Sequence, residues 1–196
     1  MRKFCRTDEP DCLKEKAAIL TEKFVAARKE NPSARFNWPN GGYETIRSKL
    51  LEMTQYHCAF CDGPFSESRE TVEHFRPKSR FPELAYRWEN LFPCCDACQS
   101  AKGEKFDELL LKPDEQEYIF SGYFIVNFRT GAIEALPSAE AVRQSRAQVS
   151  IDMYDLNRKA RLIARQRELE CYLRAENPCI DDFNYRYFLE DSELNR

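Results

Sequence analysis

No apolar run in this chain approaches the ~20 residues that a helix needs to cross a bilayer, so no membrane-spanning helix is expected. The opening residues, MRKFCRTDEP, lack the apolar centre of an export signal, and secretion is not expected either. An excess of one charge is also missing. A formal net charge of -3 does not describe a generally basic nucleic-acid-binding domain. There is no internal repeat and no low-complexity tract.

What the chain does hold is cysteine. An odd count of nine, with no export signal, argues for reduced thiols and metal binding over a disulfide framework. A soluble cytoplasmic protein of one domain with helical additions is the expectation. The charges are unevenly spread. Arg69, Arg76, Lys78, Arg80, Arg87, Lys102 and Lys105 crowd the centre of the chain, whereas the C-terminal tail is acidic.

The central stretch reads YHCAFCDGPFSESRETVEHFRPKSRFPELAYRWENLFPCCDACQSAKGEKF over residues 56–106. Two Cys-x-x-Cys pairs, Cys58/Cys61 and Cys95/Cys98, frame Glu73-His74 and Asn90. Each pair offers two sulfurs to one point, which is what tetrahedral zinc requires. A closed four-thiolate site leaves the metal no open position, so this zinc is expected to hold the fold and not to do chemistry. Cys94, next to Cys95, reads as a small buried thiol, and His57 as a surface or packed histidine.

Around that centre the pattern predicts an α+β chain. Residues 1–55 read as an N-terminal helical arm, with helices over 12–30 and 43–54 separated by an aromatic loop (Phe36, Trp38, Pro39). Residues 56–112 read as a zinc-clipped strand-strand-helix core, with a hydrophilic loop at 66–70, a short strand into Val72-Glu73-His74 and a helix over 99–110 that runs through Gly103. Residues 113–178 read as a hairpin over 118–136 and helices over 138–148 and 151–174, the last continuous or kinked, with Leu156, Ala160, Leu162, Ile163, Leu169 and Leu173 buried. Residues 179–196 form an acidic, aromatic tail, equally suited to packing on the domain and to docking a partner.

Between the knuckles, His74 is placed to take a proton from water, since imidazole titrates near neutral pH. Glu73 suits a hard divalent cation, which would act on a phosphate oxygen. Asn90 suits bracing the backbone around the imidazole, with a plain turn residue as its bland alternative. Gln99 offers an amide oxygen as a second metal ligand or is an ordinary surface residue. Magnesium fits so few protein oxygens, because it keeps several waters. Arg76, Lys78, Lys102 and Lys105 flank the site and are expected to meet phosphates without reading sequence. The later Arg158, Lys159, Arg161, Arg165 and Arg167 read as a solvated face at least as readily.

The ordered set Cys-x-x-Cys, Glu73-His74-Phe75-Arg76-Pro77, Asn90-Leu91, Cys-x-x-Cys and Lys102-Gly103 resembles the HNH endonucleases with a ββα-metal core. That resemblance implies a nuclease acting on DNA or RNA, with His74 as general base, Glu73 as metal ligand and Asn90 as brace. Gln99 stands where the family usually has His or Asn. A narrower resemblance, from about Met1 to Arg167, is to the retron-associated and Septu-type HNH proteins of the PtuB family. It implies a role in bacterial anti-phage defence beside a PtuA-like ATPase, with a retron reverse transcriptase and its msDNA as further partners. The competing expectation is a catalytically weakened zinc module that binds nucleic acid or holds the ATPase.

Overall fold

The computed structural model describes residues 1–65 and 70–194. Residues 66–69 of the hydrophilic loop, Arg69 among them, lie outside the described residues, as do residues 195–196 and the side chains of residues 191–194, Asp191 and Glu193 among them. No helix among the described residues is long and apolar enough to cross a membrane.

The chain is α+β. It opens with α1 (Asp11–Lys14), α2 (Ala17–Glu30) and α3 (Gly42–Met53). The single helix expected over 12–30 is interrupted. Lys16 leaves the helical region at φ -121°, and its N–H bonds Leu13 O in a tight turn before the helix restarts. The break has a packing reason. It lets Leu13 and Phe24 enter one cluster with Ile46, Leu50, Tyr86, Trp88 and Leu91, each fully buried aliphatic side chain there contributing roughly 1.5–3 kcal/mol.

The centre is a ββα unit. Strands β1 (Glu70–His74) and β2 (Leu91–Cys95) pair antiparallel, with His74 opposite Leu91 and Glu73 opposite Phe92. Because neighbouring strand residues face opposite ways, Leu91 joins the cluster under the N-terminal arm and Phe92 a second, larger cluster. That second cluster contains the knuckles, Phe60 and Tyr154 (ring centroids 4.0 Å apart), and the C-terminal aromatics. Helix α4 (Asp96–Lys102) follows β2 directly, its first turn capped by Cys95 Sγ, which accepts from Cys98 N. The helix does not continue to residue 110. Gly103 takes φ +53° and ends it, a conformation that glycine adopts without steric penalty.

Beyond the core come a hairpin, β3 (Phe124–Asn127) with β4 (Ala132–Ala135), and helices α5 (Ala141–Met153), α6 (Lys159–Arg174) and α7 (Arg186–Leu194). The strand expected from residue 118 is shorter, because Phe120–Gly122 coil into a 3-10 turn. The segment 151–174 is two helices, broken where Asp155 takes φ +47°. Its buried face is only partly the one read from the sequence: Leu156 is buried and Leu169 packs against the core, but Ala160 is exposed. Ile163 and Leu173 are exposed, while Arg161, Arg165 and Tyr172 are buried. The helix packs against backbone carbonyls and sulfurs, which apolar side chains do not satisfy. Arg165 donates to Gly131 O and Leu156 O, at 2.9 and 2.6 Å. The tail also packs inward. Tyr187, Phe188 and Leu189 are buried, and Arg186 forms a two-pronged ion pair with buried Asp62 of the first knuckle.

Candidate active site and thiolate cluster

Four sulfurs converge at the base of the ββα unit. The Sγ atoms of Cys58, Cys61, Cys95 and Cys98 all lie within 4.8 Å of one another. Cys61 and Cys95 are 3.8 Å apart, close to the edge of a tetrahedron drawn at about 2.3 Å around zinc. The donor set therefore fits zinc. Cys94 is buried outside this group, its thiol turned toward Cys95 O. His57 Nδ1 is engaged with Gln55 O at 2.5 Å. One residue was not anticipated here. Arg161, from α6, places Nη2 2.9 Å from Cys98 Sγ and 3.8 Å from Cys95 Sγ. Burial opposes its charge, yet the neighbouring thiolates outweigh burial and hold the guanidinium above its ordinary value. A guanidinium in hydrogen-bond reach of a thiolate offsets charge that zinc alone does not neutralise.

His74 sits at the end of β1, on a cleft of about 140 Å³ that it shares with Glu73, Lys78, Gln99 and Gly103. Its Nε2 lies 2.9 Å from Ala85 O. A carbonyl only accepts, so Nε2 carries the proton and the neutral ring keeps its lone pair on Nδ1. No partner for Nδ1 occurs among the described residues. Phe36 and Trp38 cover the ring, at centroid distances of 5.2 and 5.7 Å. Burial, and then the Lys78 charge, lower the imidazole to about 3. At neutral pH the ring is unprotonated, but it holds a proton far less readily than the near-neutral imidazole expected from the sequence.

Asn90 braces the loop that leads to the carbonyl holding His74. The Asn90 side chain accepts from Arg76 N at 2.8 Å and donates to Arg76 O and Leu84 O, at 3.0 and 3.1 Å. It thereby ties both ends of the loop that leads to Ala85. Glu73 faces α4, where Lys102 Nζ lies 2.7 Å from its Oε1 and 3.0 Å from His74 O. Burial raises the Glu73 carboxyl, and Lys102 and a hydrogen bond from Gln99 partly restore it. Glu73 and Gln99, engaged with each other here, are the oxygen donors on the cleft, a small set that suits a divalent ion keeping several waters.

Comparison with known proteins meets this geometry at the same residues. Residues 58–105 match the model of the HNH endonuclease family, running from the first clustered cysteine to just beyond Gly103. Over those residues the chain is similar to the HNH endonucleases. It is also similar to Septu protein PtuB of Bacillus thuringiensis, 33% identical over 100 residues, half of this chain and 35% of that relative. The match thus covers about a third of the curated relative's length.

Within residues 58–105 the four basic residues read from the sequence have different fates. Lys78 lines the His74 cleft and lies 5.5 Å from the Phe36 ring centre. Lys105 is exposed. Arg76 is engaged, paired with Glu108 at 2.7 Å and stacked on Phe81 and Phe106. Lys102 requires a correction. It is fully buried against Glu73 and cannot meet a phosphate from outside. Arg161 and Arg165 are likewise internal and not part of a solvated face. The aromatic cover by Phe36 and Trp38 was visible in the sequence as a loop, but nothing in the spacing connected it to His74.

Proposed function

We propose that this chain is a metal-dependent endonuclease that hydrolyses nucleic-acid phosphodiester bonds. One observation carries the reading: His74 is anchored through Nε2, left unprotonated at Nδ1 and set on the same cleft as Glu73 and Gln99. His74 accepts the proton of the attacking water. Lys78 meets the phosphate, and Asn90 keeps the loop rigid so that the imidazole does not turn away. Glu73 and Gln99 would hold the divalent cation, which when bound supplies positive charge to the phosphate oxygens. The thiolate cluster would hold zinc in a structural role. Lys102 orients Glu73 from behind and is a positioning residue.

The test is cutting of DNA and RNA with added magnesium, wild type beside His74→Ala. A loss of about 10²–10⁴-fold is expected for removal of a general base. Equal cutting by the two proteins overturns the assignment. The likeness to a Septu protein supports a place in anti-phage defence beside a PtuA-like ATPase, testable by co-purification of the pair. It does not extend to a retron reverse transcriptase or its msDNA.

A second reading has an observation in its favour. His74 is roofed by Phe36 and Trp38, and one Glu73 oxygen is already held by Lys102. That arrangement also suits a nucleic-acid- or ATPase-binding module with weakened chemistry. Salt-sensitive binding with no cutting in magnesium, manganese or nickel, alone and with the ATPase, would select it.

A further inference from the structure

The other side of the aromatic roof carries a groove that the site described above does not use. It has a volume of about 470 Å³ and runs between α2 and the loop that leads to α3. Its apolar wall includes Phe24, Trp38 and Tyr86, and its rim carries Lys16, Lys23 and Arg35. All three cations are exposed and none is in an ion pair among the described residues. No carboxylate lines the groove among the described residues. The chain as a whole is acidic, with a net charge of -3, so a wall bearing only positive charge is a local departure and not a sample of the average surface.

The volume lies in the range of small-ligand sites, about 300–1,000 Å³. Aromatic faces beside unpaired cations are the chemistry that single-stranded nucleic acid recognises, with bases stacking on rings and phosphates meeting ammonium and guanidinium groups. Trp38 is the link to the reaction. The same indole stacks on His74, with ring centroids 5.7 Å apart at 22°, and lines the groove. Tyr86 is held in place from below, its hydroxyl donating to Asn37 O at 2.6 Å, so the wall is preformed.

We propose that this groove binds an unpaired nucleotide of the substrate strand, its base against Trp38 and its neighbouring phosphates on Lys16, Lys23 and Arg35. The substrate class is then a single-stranded polynucleotide or an unpaired region, because a base inside a duplex would have to leave its stack to enter. This rests on the reading of His74 as the centre of a phosphodiester hydrolase, since it places the strand beside that residue.

The test measures binding and not cutting. Short labelled single-stranded DNA, single-stranded RNA and the matching duplex are titrated against the full chain without added divalent cation, between about 50 and 200 mM salt, the range over which phosphate contacts reveal themselves. The groove predicts single strands bound at least about tenfold tighter than duplex, and the DNA and RNA arms tell which strand is preferred. The triple variant Lys16→Gln, Lys23→Gln, Arg35→Gln should weaken single-strand binding and flatten its log–log salt slope by about 2, at about 0.7 per phosphate contact. Tryptophan emission should be quenched by the bound strand in wild type and not in the variant, and because Trp88 is buried the signal reports Trp38. Unchanged affinity and slope in the variant, equal duplex binding, or no binding overturns the proposal. Cutting that persists while the variant binds like wild type sinks the groove alone. Binding as predicted with no cutting under any metal sinks the nuclease reading alone.

Discussion

Lys102 Nζ lies 2.7 Å from Glu73 Oε1, and both side chains are shut away from solvent. The carboxylate proposed as a metal ligand is therefore held by an internal cation and also by a hydrogen bond from Gln99. Lys102→Met leaves a buried carboxylate without its partner. We expect a loss of about 3–5 kcal/mol, the usual penalty for breaking a buried pair from one side. Adding Glu73→Gln should recover part of it. Urea unfolding of the two single variants and the double variant checks this; a double variant no more stable than Lys102→Met alone would show that the pair is not the cause.

The depressed imidazole makes stability depend on pH. An unperturbed histidine protonates near 6.5, whereas His74 stays neutral in the folded chain to about 3. Between those values the unfolded state binds the proton and the folded state does not, so stability is intact above about pH 6.5 and declines as pH falls toward 3. The decline attributable to this residue is at most about 1.4 kcal/mol per pH unit. Unfolding midpoints at pH 7.5 and 5.0 should differ more in wild type than in His74→Asn. Parallel slopes would mean that the ring is not buried as described.

Arg161 predicts a metal-retention phenotype outside the reaction site. Its guanidinium reaches Cys98 Sγ from a helix far along the chain. Groups that support metal ligands typically change affinity by about 10–100-fold when lost. Arg161→Leu should thus surrender zinc to a chromogenic chelator at correspondingly lower chelator concentration, with Arg161→Lys in between, since a point charge replaces the fork. Identical chelator curves would reduce the contact to packing.

Two glycines with positive φ offer a paired test of the fold. A Cβ on Gly131 would stand 2.3 Å from the Leu162 carbonyl oxygen, whereas one on Gly103 would meet nothing within 4 Å. Both substitutions to alanine place a Cβ on backbone at positive φ, a strain of about 1–3 kcal/mol. Only Gly131→Ala should also push α6 from its seat, lowering the melting temperature well beyond Gly103→Ala and loosening zinc with it. Equal melting temperatures would contradict the close approach.

Much of this site was legible before any coordinates. Cysteine spacing alone named the four sulfurs that converge, because two short turns each fix a pair and the closing of β1 on β2 brings them together. The reading of Asn90 as a brace pointed to backbone contacts of the kind found at Arg76 and Leu84. Other features were not legible, for physical reasons. Arginine is ordinarily exposed, so Arg161 and Arg165 read as a solvated face or a nucleic-acid contact, when buried carbonyls and thiolates in a different part of the chain make an inward-facing arginine the better solution. Lys102 was read as a phosphate contact for the same reason. Only the tertiary placement of Glu73 above α4 shows that it faces a carboxylate. The helix break at Gly103 was a local signal that helical spacing beyond it outweighed.

The clamp between Arg186 and Asp62 joins residues far apart in the chain, and Arg161 likewise reaches the sulfurs from a late helix. During synthesis, both Cys-x-x-Cys turns leave the ribosome well before either arginine does. The thiols are therefore synthesised before the residues that cover them, and closure over the cluster has to wait for a later part of the same chain.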